Sequence, residues 1–264
     1  MDHPYWSRQT PGKQLYPDIE WSKPERRDQA GKLLIVGGNK LGFAAVAENY
    51  QTALENGVGQ VKVLVPDCLK KAIPSTLLDV IFAACTPSGG MSKEALPELR
   101  AGTEWASGVL LIGDAGRNAE TALIYEEFVS TYSGKLTVTR DAIDLVKNNP
   151  SLLVERPDTV LVASFAQVQK LFQGVYYPKM LTFNMQLMQL VEALHKFTIT
   201  YPCTILTLHN DTMVIASGGD VVTQPWDAPM EIWRGNVATN GASYWLWNDG
   251  KPLESFAASL VKNS

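Results

Sequence analysis

The chain has 264 residues, 45% of them hydrophobic, enough to bury one sizeable core. Its 23 basic and 27 acidic residues leave a net charge of −4, which argues against a nucleic-acid binder, a class marked by a basic excess or stripe. No run approaches the roughly 18 apolar residues that span a bilayer, and the first residues lack the apolar stretch of a secretory signal.

Residues 1–30, rich in Pro, Trp, Tyr and charge, read as an irregular arm whose Tyr5, Trp6, Tyr16 and Trp21 pack on the domain or a neighbouring subunit. A buried-type strand follows at 32–36 and runs into Gly37-Gly38. Residues 43–56 read as a helix that Gly57 can stop. The rhythm continues with strands at 60–65, 109–112, 136–139 and 159–162, and with helices at 120–130, from 167 onward, and at 181–196. Strands at 203–208 and 213–217 flank an Asn210-Asp211 hairpin turn. Helices at 237–247 and 252–262 close the chain. With no linker-like stretch, residues 31–264 are expected to form one domain, a mainly parallel sheet covered on both faces.

Ligands of open α/β sheets bind beyond the carboxyl ends of the strands, so the loops there carry the candidate chemistry. Gly37–Gly42 could let a backbone approach a ligand, or be a plain turn. Gly113–Asn118 could cradle a polar ligand, or cap a helix with Asn118 as N-cap. Trp233–Asn236 opens a helix of small residues, and such a start is an anion site in many folds. Gly37-Gly38, Gly113, Thr139–Asp141, Ser164 and Gly235-Asn236 are expected to converge around one cleft. His195 falls on an apolar helix face and reads as a core or edge histidine, whereas His209, beside the hairpin turn, reads as nearer a ligand. Three cysteines without a CxxC pair and only three histidines suggest neither a zinc site nor a redox pair. Free thiols suit a cytoplasmic protein.

Read in order, these loops resemble the kinase-like domain of the ADP- or ATP-dependent NAD(P)H-hydrate dehydratases, the YjeF type. The likeness runs from about residue 28 to 262. It is carried by Leu33–Asn39, Ala44-Ala45, Ala53–Gly59 and the final helices from Gly235 through Glu254. It implies a ribokinase-like three-layer α/β/α fold and repair of hydrated nicotinamide cofactors. It also implies ADP or ATP as cosubstrate, with Mg a candidate, and a homo-oligomer. By position it assigns substrate contacts to Ala45, Gly113 and Ser164. It assigns nucleotide contacts to Leu208, His209, Asn210, Asp211, Thr212 and Gly235, and the catalytic position to Asn236.

The departures fall on the chemistry. The type's Gly-Pro-Gly-Leu-Gly loop is Gly113–Arg117 here, with the first glycine kept. Asp-Ala-Asp-Ala-Leu is Thr139–Ile143, Thr-Pro-His-x-x-Glu is Val162–Gln167, and Lys-Gly-Ala-x-Thr is Leu208–Thr212. Gly-Thr-Gly-Asp is Trp233–Asn236, with Asn in place of the catalytic Asp. An amide cannot take a proton near neutral pH as a carboxylate can, and Leu208 offers phosphate no donor. The expectation is therefore a dehydratase-type protein with weakened or lost catalysis, binding NAD(P)HX or a nucleotide-like ligand. The alternative is a non-catalytic homologue that binds a nucleotide or a partner. A small-molecule kinase is the weakest alternative, because that chemistry also needs the missing Asp.

Overall fold

The near-continuous apolar runs form the middle of a single ten-stranded sheet. The computed structural model describes residues 3–10 and 12–261. Met1, Asp2 and Pro11 of the expected arm lie outside the described residues, as do Lys262, Asn263 and Ser264 at the end of the expected domain. The strands are β1 (Trp6–Arg8), β2 (Lys32–Gly37), β3 (Gln60–Pro66), β4 (Val80–Ala83), β5 (Gly108–Gly113), β6 (Lys135–Thr139), β7 (Thr159–Ala163), β8 (Thr204–His209), β9 (Thr212–Ser217) and β10 (Asp220–Pro225). They lie in the order β1-β10-β9-β8-β7-β6-β5-β2-β3-β4. Only the β8–β9 and β9–β10 pairings are antiparallel.

Helices cover both faces, which is why the central strands are apolar on both sides. Leu34 and Val36 of β2 point to one core, and Leu33 and Ile35 to the other. The first core is roofed by α3 (Leu96–Trp105), α4 (Ala119–Thr131), α5 (Asp141–Leu145), α6 (Ser151–Val154), α7 (Phe165–Gly174) and α8 (Leu187–Thr200). The second lies under α2 (Ala44–Asn56), α9 (Pro229–Arg234), α10 (Asn236–Leu246) and α11 (Pro252–Val261). The expected three-layer α/β/α architecture with a mainly parallel sheet is present.

Several details differ from the sequence expectation. The arm is not irregular throughout: α1 (Asp18–Trp21) is a short helix, and β1 adds an edge strand parallel to β10. Trp6 anchors that strand through an indole hydrogen bond to Thr223 Oγ1, and Tyr5 stacks on His195 at 3.7 Å. Trp21, expected to pack on the domain or a neighbouring subunit, does not pack on the domain: it is 85% exposed in this chain. The helix expected at 181–196 begins at Leu187 and runs to Thr200. Its true start is set by the reciprocal Gln186/Gln189 capping box, and the Met185 carbonyl just before it accepts from His209 Nε2. β4, β10, α3 and α9 were not expected. Among the described residues no helix is long and apolar enough to cross a membrane.

The small residues of α10 serve helix packing. Residues Val237 through Trp245 are all buried, and a Cβ on Gly241 would sit 2.1 Å from Phe256 Cδ1 of α11. The close approach they permit is to a neighbouring helix.

Candidate functional site

The loops after β2, β5, β6 and β7 meet at the carboxyl rim of the sheet. Their hub is Asp141, the first residue of α5. Its Oδ1 accepts the Asp114 amide at 2.8 Å, and its Oδ2 accepts the amides of Ala115 and Gly116 at 3.1 and 3.3 Å. Three consecutive amides of this kind form an anion-binding nest, and here the chain's own carboxylate fills it. Gly113 must be glycine for this to happen: it has φ 90°, and a Cβ there would lie 2.1 Å from Asp141 Oδ1.

Asp114 extends the network. Its Oδ2 accepts the Ala45 amide at 2.9 Å and its Oδ1 meets Arg140 Nη2 at 2.6 Å. Both Asp114 and Arg140 have positive φ, 55° and 56°, a conformation that costs non-glycine residues energy and is held only by surrounding contacts. One such contact is Gln167 Nε2, which donates to the Arg140 carbonyl at 2.8 Å. Asn39 Nδ2 donates to the Asp114 carbonyl, and the Gly38 amide donates to Gly113 O at 2.9 Å. Beneath the hub lies the buried Tyr125 phenol, pushed upward in pKa by burial and then by the Asp141 charge.

The start of α10 joins the rim through Asn49 of α2. Asn49 Nδ2 donates to the carbonyls of Ala45 and Arg234, both at 2.8 Å. Gly235 is buried with φ 93° between α9 and α10. Asn236 Nδ2 donates to Thr52 Oγ1 at 3.1 Å, while its Oδ1 is buried without a partner. Of the sequence-derived candidates, Ala45, Gly113, Gly235 and Asn236 therefore fall in one connected region with Asp114, Arg140 and Asp141. Ser164 adjoins it, but its hydroxyl is used to cap α7, accepting the Gln167 amide at 3.2 Å.

The hairpin candidates lie apart from that network. Leu208 is half-buried, paired with Met213 and packed against the second core. His209 is buried, its Nε2 2.9 Å from the Met185 carbonyl and its ring against Phe165, so the expected ligand-facing histidine is an internal one. Asn210 sits exposed at the turn with φ 54°. The Asp211 carbonyl accepts the Trp226 amide, and its carboxylate accepts from Thr212 Oγ1 at 3.3 Å. His195 is the edge histidine expected, bonded through Nδ1 to the Gly219 carbonyl.

The hairpin residues and Asn236 offer a nucleotide phosphate no positive charge, and the rim carboxylates do not fit a protein-held Mg ion. Residues 208–212 supply no cationic side chain, and Asn236 presents its unpartnered atom as an acceptor. Mg calls for carboxylate oxygens, yet Asp114 and Asp141 are already held by Arg140 and four backbone amides. Among the described residues no group of three or more His, Cys, Asp or Glu could hold a metal ion.

Sequence reading missed the polar seam between α2 and α10. Asn49, Thr52 and Asn56 face Thr239, Asn236 and Asn240, with Asn56 Nδ2 donating to Asn240 Oδ1 at 2.8 Å. The signal was present: positions 49, 52 and 56 share a helix face at spacings of three and four.

No protein-family model matches the chain, and no curated protein does. Solved structures do. A ribokinase-like superfamily protein of Enterococcus faecalis superposes with a TM-score of 0.76 at 13% identity, over 99% of this chain and 87% of that one. A Streptococcus mutans protein gives 0.70 at 15%, over 92% and 84%. The ADP/ATP-dependent NAD(P)H-hydrate dehydratase of Bacillus subtilis, co-crystallised with ATP and Mg2+, gives 0.61 at 11%, over 92% and 83%. Identities this low establish a shared fold, the ribokinase-like one, and leave function to the site.

Proposed function

We propose that this chain is a diverged relative of the NAD(P)H-hydrate dehydratase type whose catalysis is weakened or lost, and whose rim binds an NAD(P)HX- or nucleotide-like small molecule. What carries the reading is Asn236: by the resemblance it takes the position of the type's catalytic Asp, and its amide nitrogen is tied to Thr52. A carboxamide can orient a hydroxyl but cannot accept its proton, and general-base help is worth about 10² to 10⁴ in rate. Asp141 and Asp114 of the same rim are engaged, Asp141 by three amides and Asp114 by Arg140 and Ala45. Hydrolysis of ADP or ATP would lose support as well, because Leu208 supplies no cation and the hairpin's hydrogen bonds are internal.

A non-catalytic binding homologue is the limiting case of the same reading. Its setting would be cytoplasmic, consistent with three free cysteines, and it would assemble as a homo-oligomer, which light scattering would check. The deciding experiment is an assay on NADHX with ADP and with ATP, beside an Asn236→Asp variant. Undetectable or very slow wild-type turnover with a gain in Asn236→Asp is expected. Wild-type turnover on the order of 1 per second or more, the ordinary enzyme range, would overturn the reading.

A further inference from the structure

We propose that the cleft between α4, α5 and α7 binds a small phosphate monoester carrying a flat ring, a site beyond the rim position of Asn236 and independent of the function proposed above. The argument begins with the arginines near the rim. Arg140 is spent on Asp114, and Arg234 lies 3.9 Å from Glu48. Arg117 has neither an acidic partner nor a hydrogen bond among the described residues.

Arg117 borders a cleft of about 450 Å³, within the size range of small-molecule sites. Lys147 and Lys170 line the same cleft. Lys147 is exposed and, like Arg117, has no anionic partner among the described residues. A chain of net charge −4 thus gathers three cations around one concavity. The two acids that line it do not cancel them all. Asp141 is absorbed by the three amides of the 114–116 loop. Asp144 is divided between Lys170 at 3.3 Å and Gln167 Nε2 at 2.9 Å. The lining keeps a formal excess of one positive charge, and Arg117 and Lys147 have no ion-pair partner among the described residues; a phosphate monoester brings about −1.5 to −2 at neutral pH. Guanidinium and ammonium groups are the side chains that bind such an oxyanion most strongly.

The rest of the lining chooses among anions. Ala119, Ala122 and Leu145 give the cleft an apolar surface beside the cations. Ala119 and Ala122 share one face of α4 at a spacing of three, and their short side chains leave room for a ring to lie against the helix. Bare phosphate would use only the charges; a phosphorylated ring compound would use both surfaces.

The probe is AMP, titrated calorimetrically into the full chain, with inorganic phosphate in parallel. AMP is expected to bind, more tightly than phosphate. The variants Arg117→Ala and Lys147→Ala should each weaken AMP roughly tenfold, equivalent to about 1.4 kcal/mol. Both side chains are exposed or unpaired, so folding should survive, which a melting curve confirms. Lys71→Ala, an exposed charge outside the cleft, should change nothing. The proposal is overturned if AMP fails to bind at millimolar concentration, if the double variant binds it unchanged, or if phosphate binds as tightly as AMP. None of these outcomes depends on turnover of NADHX or on Asn236, so the two readings fail separately.

Discussion

The Asp141 carboxylate holds the amide of Asp114 at 2.8 Å and, with the next two amides, closes the loop after β5 around itself. A loop geometry able to bind an external anion is thereby turned into a structural clamp between β5 and α5. Removing the carboxylate strands three amides. Asp141→Ala is expected to cost about 3 kcal/mol or more, since charged hydrogen bonds contribute about 1.5–3 each. For a domain of this size that lowers the melting temperature by roughly 2–4 °C per kcal/mol. Asp141→Asn keeps one acceptor oxygen and should lose less. An unchanged melting temperature in Asp141→Ala would show that the clamp is not formed.

Gly235 is fixed by both backbone and space. Its φ is 93°, and a Cβ there would lie 2.4 Å from Ile112 Cδ1 and 3.1 Å from Asn49 Nδ2. Gly235→Ala should therefore combine left-handed strain with overpacking, about 2–4 kcal/mol in total. Gly250, with φ 68° and nothing within 4 Å of the place a Cβ would take, separates the two effects: Gly250→Ala should show the strain alone, about 1 kcal/mol. Urea unfolding of the pair checks this, and equal losses would refute the steric part.

The sequence made the sheet legible where strands were buried on both sides. The apolar runs of β2, β3, β5, β6 and β7 sit within one or two residues of their expected bounds, because continuous Val, Ile and Leu have no other way to be satisfied. Gly57, with φ 89°, stops α2 as its position suggested, and Asn118 caps α4 by accepting the Glu120 and Thr121 amides. The rim was less legible. Asp141 was visible only as a kept acid, since a carboxylate that clamps a loop and one that handles protons look alike in sequence. His209 was misjudged for a related reason: its neighbours in the chain are polar turn residues, but its ring faces Phe165 and the Met185 carbonyl, which are distant in sequence. The edge strand β1 was missed because three residues of mixed polarity carry too short a pattern.

The N-terminal segment should contribute to stability through Gln9. This side chain is fully buried; its Nε2 donates to Gln224 Oε1 and to the Ala257 carbonyl, both at 2.7 Å, and its Oε1 accepts the Leu15 amide at 3.1 Å. It thereby joins β10, α11 and the chain after β1. Gln9→Leu keeps most of the volume but takes a partner from the buried Gln224 Oε1, the Ala257 carbonyl and the half-buried Leu15 amide, at about 1–3 kcal/mol for each group left unpaired. A loss of about 3 kcal/mol or more in chemical denaturation is expected, and Gln9→Ala should do no better. A loss under about 0.5 kcal/mol, the range of ordinary surface changes, would mean that the arm is not docked in this way.

The three cysteines should differ sharply in reactivity, because the thiolate is the nucleophile and burial suppresses it. Cys203, buried just before β8, has its thiol pushed up to about 12 by desolvation. Cys85 is pushed up to about 11, first by its hydrogen bond with Asp67 and then by burial. Cys68 is exposed. A raised pKa means a protonated thiol at working pH: at pH 8 a group of pKa 11 is thiolate in only roughly one molecule in a thousand. Native protein treated with a disulfide reagent at pH 8 should therefore release one equivalent rapidly, from Cys68. Cys85 should follow slowly, and Cys203 should react only after unfolding. Cys68→Ser should abolish the rapid phase and leave Cys203 protected. Raising the pH toward 10 should accelerate Cys85 about tenfold per unit, since each unit multiplies its thiolate fraction by ten, while Cys203 stays protected by its burial. Rapid native labelling of Cys203 would contradict its place in the core.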